Sequence, residues 1–295
     1  MDLITPAYQL AAAVAQRLPR GVIERGGPWV AGLFALRPSE KRLMVERHQK
    51  RVSPELHGEE LRHRARQVYR SYGRYYAESF RLPATSPGEL DRRFRVEGYE
   101  HFAAALEEGR GMLVVLPHLG SWEWMAQWVA RVLDVPVTAV VERLEPPALF
   151  EWFTELRREM GLHIVPLGPE AGKAVSQALK AGHVIALLSD RDITGSGVEV
   201  DFFGERTTLP GGPATLALRT GAPLVPVAMY DEPDGGHVAV VKPPLPVERK
   251  GSFREDVTRL TQDIATALED LIRAAPDQWH LLQPNWPSDR TPVRL

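Results

Sequence analysis

The sequence predicts an α/β fold: a single domain with a mixed central sheet flanked by helices, plus a helical amino-terminal extension. Three observations support this prediction. Short apolar runs alternate with helical segments of about a dozen residues, as in parallel or mixed sheets that are covered on both faces. Asp234-Gly235-Gly236 separates two further apolar runs and predicts an antiparallel hairpin. No repeat or linker divides the 295 residues.

Residues 1–90 are predicted to form the helical extension and residues 91–295 the α/β core, together one compact unit. Amphipathic helices are expected at about Ala7–Leu18 and Pro28–Leu36. Residues 39–81 combine many Arg and Glu with apolar residues at helical spacing, which predicts further helices. The stretch Pro83–Glu89 is expected to be a loop.

The extension is basic, although the whole chain has a formal net charge of −2. Its first 74 residues hold 14 Lys and Arg against 7 Asp and Glu. With Trp29 and Phe34 on the second amphipathic helix, this predicts an extension that lies on an anionic membrane surface. The alternative is that the helices simply pack on the core. No run of 18 uncharged apolar residues is present, so we expect no membrane-spanning helix.

The core elements are predicted from periodicity and from the glycines and prolines that end them. Strands are expected at Phe94–Val96, Met112–Leu116, Val137–Val141, Ile164–Pro166, Val184–Leu188, Leu224–Tyr230 and His237–Val241. Helices are expected at Gly98–Glu107, Trp122–Leu133, Pro147–Met160, Ala171–Lys180, Ala214–Arg219 and Phe253–Ala275. The stretch Asp190–Pro213 holds seven glycines and prolines and is expected to be irregular.

His118 is the first candidate for chemistry, because it follows the buried strand Met112–Leu116. Open α/β sheets bind ligands where strand ends face the start of a helix. If Ser121 caps the next helix, Glu123 lies in its first turn, and a tight turn at Gly120 lets the carboxylate meet the imidazole. Such a pair suits proton removal from a hydroxyl. A structural histidine is the alternative, since this spacing also occurs by chance.

Asp190 and Arg191 directly follow the strand Val184–Leu188. If this strand lies beside the one that precedes His118, Asp190 could approach the imidazole, and Arg191 could meet a phosphate or pair with Asp192. A salt-bridged turn is the alternative.

Glu142 and Arg143 follow a third strand, and Arg157 lies on the helix after it. A guanidinium in this position can hold a phosphate through two hydrogen bonds.

Several other kinds of site are excluded. The chain has no cysteine, so disulfides, thiolate metal sites and cysteine nucleophiles are ruled out. H-E-x-x-H, the phosphate-binding G-x-x-x-x-G-K-[ST] and G-x-S-x-G are all absent from the sequence. Basic residues do not form a nucleic-acid recognition module, and we expect no nucleic acid.

The order of several motifs resembles the glycerolipid and lipid A acyltransferase superfamily. PHLGSWE (117–123), VER (141–143), SDRD (189–192) and VDFFGE (200–205) each come after or near a predicted strand. The phrases SYGRYYAESFRLP (71–83), SGVEVDFFGE (196–205) and DQWHLLQPNW (277–286) resemble the phosphatidylinositol mannoside acyltransferases in particular. The similarity extends from about residue 66 to residue 287.

This resemblance implies roles for individual residues. His118 would be the general base on an acceptor hydroxyl, with Glu123 supporting it and Asp190 approaching it. Arg143 and Arg157 fall in a block whose basic residues meet substrate phosphates. With Glu142 and Arg191 they form the predicted substrate-binding set.

The resemblance also implies the reaction. A long acyl group would pass from acyl-CoA, a co-substrate, to a hydroxyl of a mannosylated phosphatidylinositol, with no bound cofactor and no metal. The protein would be peripheral, on the cytoplasmic face of the inner or plasma membrane. The alternatives are a lipid A-type acyltransferase that uses acyl carrier protein, a hydrolase, and a lipid-binding protein without catalysis.

One helix face is a candidate for the acyl-chain groove. Trp124, Met125, Trp128 and Val129 lie on one side of the helix predicted at Trp122–Leu133, which starts next to His118. Packing in the core explains this apolar face equally well.

Overall fold

The computed structural model describes residues 4–37 and 39–290, in which eleven α-helices and nine β-strands occur. The helices are α1 (Ile4–Arg17), α2 (Arg20–Phe34), α3 (Glu40–Val52), α4 (Gly58–Arg81), α5 (Pro87–Arg92), α6 (Tyr99–Glu107), α7 (Trp122–Arg131), α8 (Pro147–Glu159), α9 (Ala171–Lys180), α10 (Gly212–Thr220) and α11 (Phe253–Ala274). The strands are β1 (Phe94–Glu97), β2 (Met112–Leu116), β3 (Val137–Val141), β4 (Leu162–Pro166), β5 (Val184–Leu188), β6 (Val198–Phe202), β7 (Glu205–Leu209), β8 (Leu224–Asp231) and β9 (His237–Val241).

Seven strands form the central sheet, in the order β1-β9-β8-β2-β5-β3-β4. The hairpin partners β8 and β9 run antiparallel, and every other neighbouring pair is parallel. The predicted single α/β domain with a mixed sheet is therefore confirmed. β2 lies at the centre of the sheet, with β8 on one side and β5 on the other.

The residues of β2 explain its central place. All five are buried, and they alternate between two hydrophobic clusters on opposite faces of the sheet. Met112, Val114 and Leu116 belong to one cluster, whereas Leu113 and Val115 belong to the other. Successive side chains of a strand point to opposite faces, so a strand covered by helices on both sides is apolar throughout. The end of β2 is therefore a rigid support for the residue that follows it.

One stretch expected to be irregular contains a second, two-stranded sheet. β6 and β7 form an antiparallel hairpin within 190–213. Val200 and Phe202 are buried while Glu199 and Asp201 are exposed, which is the period of two typical of a strand covered on one face. The hairpin packs on α11, where Gln262 accepts a hydrogen bond from the Asp201 amide. The many glycines and prolines around it obscured this short alternation.

The four amino-terminal helices pack on one another and on the core. Gly73 of α4 lies so close to α2 that a Cβ there would collide with Ala31. Tyr8 of α1 contacts the ring of Phe153 in α8, with ring centroids 5.5 Å apart. The predicted loop 83–89 is partly helical, because α5 begins at Pro87 with Ser86 as its side-chain cap. The division at residue 90 stays a prediction, and residues 1–3 and 291–295 lie outside the described residues.

Large apolar side chains are exposed mainly on the first two helices. Of the twelve such side chains in the described residues, ten lie between Ile4 and Leu36. Trp29 and Phe34 are among the most exposed, at 62% and 61%. Across residues 4–37 and 39–290, none of the helices combines the length and apolar character needed to cross a membrane.

Candidate active site

His118 lies where the chain leaves β2 and turns towards α7. Pro117 ends the strand, and Gly120 reverses the chain with a φ of 59°. A side chain at position 120 would be strained by this φ, and its Cβ would collide with the backbone oxygen of Met229 in β8. The turn therefore requires glycine and holds His118 at the edge of the sheet, with 24% of its side chain exposed.

Asp190 is the residue that pairs with the His118 imidazole. The Oδ1 atom of Asp190 lies 2.6 Å from Nδ1 of His118, and Oδ2 accepts a hydrogen bond from the His118 amide at 3.1 Å. β2 and β5 are parallel neighbours, so their ends meet at one edge of the sheet. The predicted approach of Asp190 to His118 is confirmed.

The Asp190 carboxylate is buried completely and still ionised. Burial alone would raise the pKa of this carboxyl group, but the His118 imidazole and hydrogen bonds from Trp279 and the His118 amide hold the pKa below its ordinary value. A buried carboxylate on Nδ1 selects the tautomer that leaves Nε2 as the free nitrogen. No described residue forms a hydrogen bond with His118 Nε2.

The segment 278–286 holds His118 and Asp190 in place through three hydrogen bonds. The Trp279 indole donates to Asp190 Oδ2 at 2.8 Å, and the Asn285 amide donates to the Asp190 backbone oxygen at 3.0 Å. The amide of His280 donates to the backbone oxygen of His118 at 2.7 Å. Residues more than 80 positions away along the chain therefore set the position of both members of the pair.

Helix α3 anchors the end of this segment. The His48 ring is buried, with Nδ1 2.9 Å from the Leu281 backbone oxygen and Nε2 3.1 Å from the Asp289 carboxylate. Arg51 also donates to Asp289, at 2.7 Å, and its guanidinium lies over the Trp286 ring. Burial would raise the pKa of Asp289, but hydrogen bonds from His48 and from two backbone amides lower it strongly. Asp289 is therefore a charged anchor for the carboxyl-terminal segment.

The expected contact between Glu123 and His118 is wrong. Glu123 is buried and accepts a hydrogen bond from Arg157 Nε at 2.8 Å, and Nη2 of the same guanidinium forms an ion pair with it at 2.7 Å. α7 begins at Trp122, whose ring lies edge-on against the His118 ring at 5.5 Å. The next residue is rotated by about 100° around the helix, so the Glu123 carboxylate points away from His118 and towards α8.

Ser121 also differs from its expected role. It occupies the N-cap position of α7 but makes no capping hydrogen bond with its side chain. Instead its hydroxyl donates to Glu78 of α4. Glu78, Asp231 and His237 form a buried group whose ligand atoms lie within 4.8 Å of one another, a spacing that a metal ion could use. Arg74 donates to Glu78 at 2.9 Å and already supplies positive charge there.

Three of the four predicted substrate-binding residues border a large cavity. It has a volume of about 810 Å³ and is bordered by His118, Glu142, Arg157 and Arg191. Arg143 lies outside it, at a smaller adjoining depression, with its guanidinium over the Phe150 ring. A cavity of this size is in the range of ligand sites, about 300–1,000 Å³.

Two of the arginines in the cavity wall are already paired with carboxylates. Arg191 donates to Glu142, and the expected pairing of Arg191 with Asp192 is not formed. Asp192 accepts instead from the amides of Gly195 and Gly197 in its own loop. For Arg157, burial alone would lower the pKa, but Glu123 and Tyr75 raise it above its ordinary value, so the guanidinium stays charged.

The apolar face of α7 does not line this cavity. Trp124, Met125, Trp128 and Val129 are all at least nine-tenths buried in the hydrophobic core. The Trp124 ring packs on His237 and the Trp128 ring on Phe94. Of α7, only Trp122 borders the cavity, so core packing is the reading that the structure supports.

The family described as bacterial lipid A biosynthesis acyltransferase matches residues 4–288, nearly the whole chain.

The chain belongs to the bacterial lipid A biosynthesis acyltransferase family.

Individual relatives place it nearer one branch of this acyltransferase family. The phosphatidylinositol mannoside acyltransferase of Mycolicibacterium smegmatis is 40% identical over 227 residues, which cover 76% of this chain and 72% of that protein. The protein of the same name from Mycobacterium tuberculosis strain H37Rv is 38% identical over 229 residues, covering 76% and 70%. The predicted resemblance and the predicted enzyme class, an acyltransferase, are confirmed.

Sequence reasoning did not identify several residues of this acyltransferase site. Trp279, His280 and Asn285 were known only as parts of the phrase DQWHLLQPNW, without contacts. Tyr75 lies within the phrase SYGRYYAESFRLP, also without a predicted contact, yet its ring stacks on Trp122 at 4.0 Å and borders the cavity. The available signal was the density of aromatic side chains in both phrases and of amide side chains in DQWHLLQPNW.

Proposed function

We propose that this protein transfers a long acyl group from acyl-CoA to a hydroxyl of a mannosylated phosphatidylinositol, with His118 as general base. The names of the relatives support this acceptor class. The observation that carries the mechanism is the His118–Asp190 pair in the wall of the 810 Å³ cavity. It combines an oriented base with an open cavity beside it.

The reaction then needs one proton shuttle. Nε2 of His118 removes the proton from the acceptor hydroxyl, and the oxygen attacks the thioester carbon. The tetrahedral intermediate collapses with cleavage of the C–S bond, and the imidazolium returns the proton to the leaving thiolate. The products are the ester and free CoA. Asp190 stabilises the imidazolium through Nδ1 and holds the ring in one orientation.

The cavity provides both apolar and charged surroundings for these substrates. Rings of Tyr76, Trp122 and Phe153 line one side and suit an acyl chain. Lys173 and Arg219 also border the cavity, and no described carboxylate forms an ion pair with either. They are therefore the cations that remain available for substrate phosphates.

We propose further that the protein is peripheral and lies on the cytoplasmic face of the inner or plasma membrane. The exposed apolar side chains of α1 and α2 lie in the basic part of the chain. Tyr8 of α1 packs on Tyr76 and Phe153, which are two residues of the cavity wall. A lipid held at α1 would thus be close to the cavity.

A second candidate is acylation of a lipid A-type precursor, the acceptor class that the family's description favours. Acyl carrier protein would then be the acyl donor. One experiment separates the two. The purified protein is incubated with palmitoyl-CoA or palmitoyl-acyl carrier protein and with a panel of lipid acceptors, and products are analysed by mass spectrometry. A mannosylated inositol lipid that gains one palmitoyl group from the CoA donor supports the proposal. Product only from the carrier protein and a lipid A precursor supports the second candidate.

The role of the base is tested by His118→Ala. Loss of proton removal by the imidazole should lower acyl transfer by ~10²-fold or more. The melting temperature should also fall, because the buried Asp190 carboxylate loses its imidazole partner. His163→Ala is the matched control, since His163 is an exposed histidine on β4 that does not border the cavity. A folded His118→Ala variant with near wild-type turnover would refute the mechanism.

A further inference from the structure

Helix α4 carries a row of arginines that the proposed mechanism does not use. Arg62, Arg66 and Arg70 are spaced four residues apart, so they lie on one side of the helix. Arg62 and Arg70 are exposed and Arg66 is half-buried. No acidic residue occurs between Leu61 and Gly73. None of the three guanidinium groups forms an ion pair or a hydrogen bond with any described residue, so this arginine row is a concentration of unneutralised positive charge.

Several other arginines of the extension are already neutralised. Arg20, Arg42 and Arg74 each form ion pairs with glutamates. Arg51 pairs with two carboxylates of the core. The excess of basic residues among the first 74 is therefore not spread evenly over the surface, and the arginine row holds a large part of what remains available to a partner.

The row lies against the exposed apolar side chains at the end of α2. A Cβ on Gly32 of α2 would come within 3.1 Å of the Arg70 Cγ atom, so the aliphatic part of Arg70 packs directly on this glycine. The residues that follow, Leu33 and Phe34, are exposed at 45% and 61%, and Leu36 is exposed as well. Long basic side chains that rest on apolar surface while their charge stays in water are typical of the boundary between lipid headgroups and acyl chains.

The two features together indicate the chemistry of the partner. Guanidinium groups bind phosphate through paired hydrogen bonds. Exposed apolar side chains on a helix gain free energy by entering the acyl region of a bilayer. A phospholipid offers phosphate and acyl chains in one molecule, whereas a free phosphate or an acidic polymer offers nothing to Leu33 and Phe34.

We propose that the arginine row is a docking site for the headgroup phosphates of anionic phospholipids, with the end of α2 inserted among their acyl chains. This inference rests on the proposed peripheral placement and deepens it, because it assigns the attraction to three residues of α4. None of the three borders the catalytic cavity, so docking and catalysis can be measured separately.

The site is tested in the full chain by replacing the arginine row with three glutamines. A matched control replaces Lys180, Arg206 and Arg254 with glutamine, which are exposed basic residues of the core, so that the net charge changes equally. A third variant replaces the row with three lysines. Binding is measured by sedimentation with vesicles of phosphatidylcholine alone and with an equimolar mixture of phosphatidylcholine and phosphatidylglycerol.

The glutamine variant should bind the mixed vesicles ~10²-fold more weakly than wild type, because each basic residue near an anionic surface contributes roughly a factor of five. The control variant should lose no more than about threefold, since charges farther than ~10 Å from the membrane are screened. The lysine variant should keep most of the binding, because it retains both charge and aliphatic stem. If the glutamine variant does not melt cooperatively, Arg62→Gln and Arg70→Gln are measured singly, with a loss of roughly fivefold expected for each.

Equal weakening in the glutamine and control variants would mean that only net charge matters, and the site would be lost. Undiminished binding of the glutamine variant would have the same consequence, as would a lysine variant that binds as weakly as the glutamine variant. Acyl transfer to an acceptor in detergent micelles is measured in parallel and should be unchanged in the glutamine variant. Absence of transfer by wild type in micelles would overturn the proposed reaction and leave the docking site untouched.

Discussion

At the scale of single residues, two carboxylates near His118 do different work. Asp190 binds the imidazole directly, whereas Glu123 neutralises the partly buried guanidinium of Arg157. Arg157 belongs to α8, so this pair joins α8 to the helix that starts next to His118. The spacing of His118 and Glu123 therefore predicts a supporting carboxylate for the imidazole but assigns it to the wrong residue.

Exchange of each carboxylate for its amide distinguishes the two roles. Asp190→Asn removes the charge that stabilises the imidazolium, so we expect ~10²-fold or greater loss of turnover. Glu123→Gln leaves the partly buried Arg157 guanidinium without its counter-charge. This should cost about 1–3 kcal/mol of stability, with a smaller loss of turnover.

Both variants are measured by initial rates and by thermal unfolding. A larger loss of turnover in Glu123→Gln than in Asp190→Asn would reverse the assignment.

At the scale of elements, the site is assembled from segments that are far apart from one another in sequence. The end of β2 presents His118, the end of β5 presents Asp190, and residues 278–286 lie behind both. Helix α3 fixes the chain just after this segment, because His48 and Arg51 both contact the Asp289 carboxylate. Because the His48 and Asp289 side chains are buried, water does not compete for this contact, and the hydrogen bond between them is strong.

The elements around the cavity also predict how chain length is selected. Leu216 of α10 is partly buried and borders the cavity, whereas Val129 of α7 is buried in the core. Leu216→Trp should narrow the cavity and shift the preference among acyl-CoAs from C10 to C18 towards shorter donors. Val129→Phe should overpack the core at a cost of about 1–3 kcal/mol and lower the rate equally for all lengths.

Rates on the donor series, with melting temperatures for both variants, provide the check. A length shift in Val129→Phe but not in Leu216→Trp would mean that the acyl chain runs along α7 after all.

At the scale of the whole molecule, charge and apolar exposure are both concentrated at one end of the chain. Residues 1–74 are basic, and α1 and α2 carry most of the exposed large apolar side chains of the described residues. Exposed apolar side chains flanked by basic residues are typical of helices that lie in a lipid headgroup layer. The acidic remainder of the chain provides no comparable attraction to anionic lipid.

The expected result is binding to vesicles rich in anionic lipid that weakens as salt rises, since exposed charges are screened over ~10 Å at 0.1 M. Trp29→Ser combined with Phe34→Ser should weaken binding by ~10-fold or more through lost apolar burial. Tyr99→Ser is the matched control, because Tyr99 is an exposed aromatic residue on α6. Sedimentation with vesicles is the measurement. Equal binding to neutral and anionic vesicles at every salt concentration would contradict the role of charge.

The sequence by itself determined the α/β class, most element positions and the place of His118. These features depend on local causes: period-two or helical spacing of apolar residues, and glycine or proline at the ends. β5 and α9 begin and end where periodicity predicts. The ordered motifs were also sufficient to indicate the acyltransferase family, because a motif is read along the chain and needs no packing.

Only the tertiary structure decided which side chains meet. Glu123 pairs with Arg157, 34 positions away, and His48 binds the Leu281 backbone oxygen, 233 positions away. The apolar face of α7 could have lined a groove or the core, and its periodicity is the same in both cases. Which side chains contact each other depends on which elements pack together and on how each helix is rotated about its axis. The local sequence determines neither the packing nor the rotation.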